Sequence, residues 1–164
     1  MLPSTMDLVD LLQRPEGKRL EFKRELSGPD GVLKTVVAFA NTAGGTLLLG
    51  VEDRTGHVRG ISEPLDLEER LANLISDHVA PRLLPGIEIL SWRRTQVLAV
   101  QVHPSPTRPH YLKREGLDGG VYVRVGSTRG LRNASQITRS GRCSAGESGA
   151  ACGGRSESAA ERLP

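Results

Sequence analysis

Between Val32 and Val51 one pattern restricts the fold more than any other part of the chain. Val32, Leu33, Val36, Val37, Phe39 and Ala40 recur at the spacing of a broad apolar helical stripe. Asn41-Thr42-Ala43-Gly44-Gly45 then stops the helix, and Thr46 to Val51 is a continuous apolar run that suits a buried strand. The order matters for chemistry. A phosphate-binding loop runs strand, glycines, helix, so that a helix N-terminus faces the anion. Here Gly44 and Gly45 follow a helix C-terminus, where the dipole disfavours anions. No G-x-x-x-x-G-K-[ST] occurs, so a nucleotide site of that kind is not expected.

The rest of the first 132 residues alternates in the same way. Ser4 with Asp7 marks a helix start, Leu8, Leu11 and Leu12 form its face, and Pro15 with Gly17 ends it. Leu20 to Lys23 alternates as a short strand. Gly28-Pro29-Asp30 turns the chain, with Asp30 as the cap of the helix that follows. Val58 to Ile61 is expected as a strand after a turn at Asp53 to Gly56. Asp66 with Glu69 is a capping box for a helix carrying Leu67, Leu71, Leu74 and Ile75. Ile87 to Trp92 and Val97 to Val102 are strands joined by a polar turn at Arg93 to Gln96, and Tyr111 to Arg114 and Val121 to Val125 flank a Gly-rich turn. Hairpins mixed with helices give an α+β class with a mixed sheet, including two related helix-plus-hairpin units at about 30–61 and 66–102.

Ser140 to Glu161 differs in kind: Ser, Gly and Ala make up 15 of its 22 residues, and it is expected to be disordered. Both cysteines, Cys143 and Cys152, lie in this tail, which excludes a disulfide scaffold or Cys-based zinc site in the body and suits a cytoplasmic setting. The 164 residues hold one Trp, two Tyr and two Phe, too few for a platform that stacks many bases. No apolar run reaches the roughly 20 residues of a membrane span.

Three groups of residues can carry chemistry. Glu16, Glu21 and Asp53 lie near the ends of neighbouring strands, where converging carboxylates can hold Mg²⁺ or Mn²⁺ and activate water for phosphodiester hydrolysis. Taken singly, each also reads as a surface carboxylate. Basic residues gather at Lys18, Arg19, Lys23, Arg24 and Lys34, and again from Arg108 to Arg132. Val121 to Val125 alternates, placing Tyr122 and Arg124 on one face, and Gly126-Ser127-Thr128-Arg129 adds hydroxyls and a guanidinium suited to phosphate oxygens. The net charge of +3 is too small to decide for nucleic acid by itself. The four histidines show no ligand spacing.

Taken together, Glu21-Phe22-Lys23, Ala38 to Gly45 with Asn41, Thr42, Gly44 and Gly45, Leu49-Gly50-Val51-Glu52-Asp53 and Val121 to Thr128 resemble the Schlafen AlbA-2 domain. The resemblance covers residues 5–132, leaving 133–164 as the tail. It implies an α+β core that binds DNA or RNA. Bacterial members usually carry this domain at the N-terminus of longer transcriptional regulators or ATP-binding, helicase-like proteins. On that basis the chain is expected to be a truncated or frame-shifted relative. Animal members include endoribonucleases that use two Glu and one Asp, the first Glu five residues before the Glu of the E-F-K motif. Glu16, Glu21 and Asp53 match that pattern, but the Cys and His that hold the animal domains' zinc are not matched in this core.

The expected function is therefore a nucleic-acid-binding module in which Lys23, Arg24, Arg124, Ser127, Thr128 and Arg129 grip phosphates, with a homodimer left open. The alternative is a Mg²⁺- or Mn²⁺-dependent endoribonuclease acting through Glu16, Glu21 and Asp53, and a second alternative is the N-terminal part of an ATP-binding regulator.

Overall fold

The computed structural model describes residues 7–125 and 131–133. The tail expected from 133 onward falls outside these residues apart from Asn133, and so do Ser4, Ser127, Thr128 and Arg129. Helix α1 (Leu8–Gln13) begins at Asp7, whose carboxylate accepts the Val9 N–H at 2.9 Å. Strand β1 (Leu20–Lys23) follows a tight turn in which the Gly17 N–H donates to the Leu20 carbonyl. Helix α2 (Pro29–Asn41) starts with Pro29, whose fixed φ suits a first helical turn. Gly28 is the cap and Asp30 is the second residue of the helix, which begins two positions earlier than the sequence pattern suggests. Strand β2 (Gly45–Leu49) completes the segment anticipated from Val32 to Val51.

Helix α3 (Pro64–His78) likewise starts at a proline, and Glu63 caps it without a side-chain bond. The expected capping box at Asp66 and Glu69 is therefore displaced, because the helix begins at Pro64, three residues earlier than a cap at Asp66 would place it. Strands β3 (Val79–Ala80), β4 (Gly86–Trp92), β5 (Thr95–Val102) and β6 (Tyr111–Leu112) follow, then a single helical turn α4 (Gly116–Gly119) and the strands β7 (Tyr122–Arg124) and β8 (Leu131–Asn133).

The main sheet has the order β1-β2-β5-β4, with β1 parallel to β2 and the other pairs antiparallel. Short antiparallel pairs β3–β6 and β7–β8 complete the α+β architecture. The expected strand at Val58 to Ile61 reduces to a bridge between Val51 and Val58. Gly50 accounts for this, because its carbonyl takes the N–H groups of both Arg59 and Gly60 and turns that segment away from a ladder.

Alternation along the strands divides the core. Leu47, Leu49, Leu98, Val100 and Val102 pack with the buried faces of α2 and α3. Leu20, Phe22, Leu48, Val97 and Ala99 pack with Leu8 and Leu11 of α1 on the other side. This is why Thr46 to Val51 is apolar throughout: both faces of β2 are covered. Among the described residues no helix is long and apolar enough to cross a membrane.

Candidate nucleic-acid interface

The glycine-rich corner between α2 and β2 is a packing device. Gly44 sits at φ 72°, and a Cβ on it would meet the Val102 carbonyl at 2.7 Å. A Cβ on Gly45 would lie 2.6 Å from the Phe39 ring, so β2 can pass beneath that ring only as glycine. The Gly44 N–H donates to Phe39 and the Thr46 N–H to Arg19, which leaves these amides engaged within the fold. The Thr42 hydroxyl donates back to the Ala38 carbonyl at 2.6 Å. Asn41 clamps two distant segments: its amide donates to the carbonyls of His110 and Tyr122, and its carbonyl oxygen accepts the His110 N–H at 2.7 Å.

Arg124 is buried, against the expectation that it grips phosphate. Its side chain is 1% exposed and bonds the Glu21 carboxylate at 2.5 Å and the Gly17 carbonyl at 2.6 Å. The guanidinium also lies 4.9 Å from the centre of the Phe39 ring. The pairing of β1 with β2 explains this: Glu21 lies opposite Leu47, on the face that α2 covers, so the carboxylate meets an arginine there instead of solvent.

The three carboxylates are neighbours, but each is held by the fold. Glu16 accepts the backbone N–H of Phe22 at 3.0 Å and that of Arg54 at 3.1 Å, tying the loop before β1 to the turn after β2. The Lys23 ammonium lies 3.4 Å from Glu21 and 3.6 Å from Asp53, which is 51% exposed. Among the described residues no group of three His, Cys, Asp or Glu is arranged to hold a metal ion. The acidic oxygens expected to bind Mg²⁺ or Mn²⁺ face an ammonium, a guanidinium and backbone donors, so the residues present do not fit a metal centre. Nor do Ser105 and His110 make a hydrolytic pair, although Ser105 Oγ lies 2.6 Å from His110 Nε2. His110 is fully buried, and its Nδ1 donates to the Pro81 carbonyl.

Ion pairing separates engaged cations from available ones. Lys23, Lys34, Arg59, Arg114 and Arg124 all face carboxylates within 4 Å. Arg114 holds Asp30 below the usual carboxylate range through a direct hydrogen bond, and Arg59 does the same to Glu52, assisted by Thr55. Exposed Arg24 lines a cleft of about 670 Å³ with Arg59 and Arg70, but Glu25, Glu63 and Asp66 share that lining.

A second cleft, of about 450 Å³, has a different character. Arg14, Lys18, Arg19 and His103 line it, and among the described residues no carboxylate does. Arg14, Lys18 and Arg19 are exposed, and none pairs with a carboxylate among the described residues. Lys18 and Arg19 occupy the corners of the tight turn closed between Gly17 and Leu20. Behind that turn sits Arg124, on the Gly17 carbonyl, while Glu16 anchors its other side to Phe22. Of the residues singled out from sequence, Glu16, Glu21 and Arg124 thus stand behind this turn, and Lys18 and Arg19 are the cations it presents. Lys18 and Arg19 were visible as part of a basic cluster, whereas Arg14 carried no signal of its own.

Fold and cleft define a small α+β domain whose tight turn at the end of the sheet presents cations that pair with no carboxylate among the described residues. The Schlafen, AlbA_2 family model matches residues 16–131, and the chain belongs to that family. Among solved structures, it is similar to the N-terminal domain of a protein from Nitrosomonas europaea named for its relation to the ATP-dependent DNA helicase RecG. Identity is 30%, the TM-score is 0.60, and the match covers 77% of this chain and 93% of that one. It also shares its fold with the DIP2311 protein of Corynebacterium diphtheriae, at 23% identity and TM-score 0.54. That match covers 76% of this chain and 25% of the Corynebacterium chain. No curated protein matches.

Proposed function

We propose that this domain binds nucleic acid through the phosphate backbone, with Arg14, Lys18 and Arg19 as the primary contacts. The observation that carries this reading is a cleft lined by these cations with no carboxylate among the described residues of its lining. Family membership and similarity to a domain from a helicase-related protein favour a polynucleotide over other polyanions. Ser127, Thr128 and Arg129, which follow β7, are proposed to extend the contact surface. Arg24 contributes less, because acidic residues share its cleft. Contacts of this kind fix position on the strand without reading bases, so sequence selectivity is low.

Fluorescence anisotropy with labelled DNA and RNA, measured against salt, tests the proposal. Affinity falls linearly in log–log form, and Lys18→Ala with Arg19→Ala weakens every sequence alike. Each substitution lowers the slope by about 0.9 on duplex and about 0.7 on single strands. Binding that ignores salt, or is unchanged in the double variant, overturns it.

A further inference from the structure

A second pair of adjacent cations occupies the opposite end of the sheet. Arg93 and Arg94 form the two-residue turn between β4 and β5, where Trp92 pairs with Thr95. Arg93 sits at φ 51°, a conformation that glycine adopts freely and arginine only under strain, of order 1 kcal/mol or more. Both arginines are exposed, and neither pairs with a carboxylate among the described residues. The turn lies between two clefts that it helps to line. One, of about 690 Å³, is largely apolar, with Val9, Leu12, Val58 and Trp92. The other, of about 810 Å³, is polar, with Arg59, Ser62, Ser91 and Gln96. Among the described residues no carboxylate lines either cleft.

From this juxtaposition we infer that the β4–β5 turn is a second nucleic-acid contact, one that takes an unpaired strand. The inference rests on the phosphate-binding function proposed above. A ligand served by both clefts must join a flat apolar part to an anionic part, and a nucleotide does so. Its base reaches the Trp92 cleft only when no complementary base covers it, which excludes the interior of a duplex. The Arg93 guanidinium already lies 5.7 Å from the centre of the Trp92 ring, so base and phosphate sites adjoin. Strain at Arg93 also makes sense here: a turn selected for stability alone favours glycine at that position, whereas a phosphate contact needs the cation.

The chain's single tryptophan is Trp92, so its emission reports on this site directly. Titration of the full chain with oligothymidylate should quench it saturably, and a duplex of equal length should bind without quenching. Arg93→Gly is the decisive variant, because it should keep or raise the melting temperature while lowering the single-strand salt slope by about 0.7. Arg94→Ala should lower that slope by a similar amount and leave duplex binding intact. If both oligonucleotides bind, and binding responds to Lys18→Ala with Arg19→Ala, while Trp92 emission and the Arg93 and Arg94 variants show no change, this second site is overturned and the first contact stands. If quenching accompanies duplex and single strand alike, selectivity for an unpaired strand is overturned. If nothing binds, both proposals fall.

Discussion

Arg124 shows how one residue can be essential to a basic surface without belonging to it. Its guanidinium neutralises Glu21, holds the Gly17 carbonyl and stacks on Phe39, while the surface charge belongs to Lys18 and Arg19. Removing one partner of a buried pair leaves the other charged and poorly solvated. Arg124→Ala should therefore cost about 3 kcal/mol in urea unfolding. The folded fraction should retain most of its nucleic-acid affinity, since the lost side chain is 1% exposed. Gly45→Ala is the steric counterpart: its methyl carbon would sit 2.6 Å from the Phe39 ring, an overpacking cost of about 1–3 kcal/mol by the same measurement.

At the scale of elements, the β7 strand is docked onto α2 by polar contacts as well as apolar ones. Asn41 takes the Tyr122 carbonyl, and the Tyr122 hydroxyl donates to Glu115 at 2.6 Å. That bond, with Arg114 and Lys34 beside it, holds Glu115 below the ordinary carboxylate range against the opposing effect of burial. A depressed carboxylate stabilises the fold fully above its unfolded pKa, about 4.3, and loses that contribution as pH falls through the lower folded value. Glu115→Gln should therefore destabilise the protein at pH 7, and the gap from wild type should narrow as denaturation is repeated toward pH 3. Tyr122 moves the other way, raised by burial and by the Glu115 bond. Its contribution is complete below pH 10 and declines as pH rises through the higher folded value. Asn41→Ala removes bonds to two carbonyls and one N–H, and should cost at least about 2 kcal/mol.

For the molecule as a whole, net charge is a poor guide. A total of +3 conceals ion-paired cations in one region and unpaired ones in another. The residues expected to grip phosphates were Lys23, Arg24, Arg124, Ser127, Thr128 and Arg129. Among the described residues, adjacent exposed cations without a carboxylate partner stand at two turn tips, Lys18-Arg19 and Arg93-Arg94, at opposite ends of the strands. With three contacts from the first tip and Arg14, a fourfold rise in salt should lower duplex affinity roughly forty-fold. An electrophoretic mobility series from 50 to 200 mM salt checks this.

The class of fold was legible because periodicity is local. The stripe from Val32 to Ala40, the glycines and the apolar run to Val51 each report their own element, and together they resemble one family's motifs. The pattern puts the carboxylates Glu16, Glu21 and Asp53 near strand ends, but sequence carries no sign of what lies opposite a side chain. Only the tertiary structure brings Arg124 across 103 positions to Glu21 and seals the pair beneath α2. Whether a charged side chain is neutralised or available depends on such distant partners. The sequence therefore determined the elements and their order, and the packing of those elements decided which cations remain at the surface to meet a polyanion.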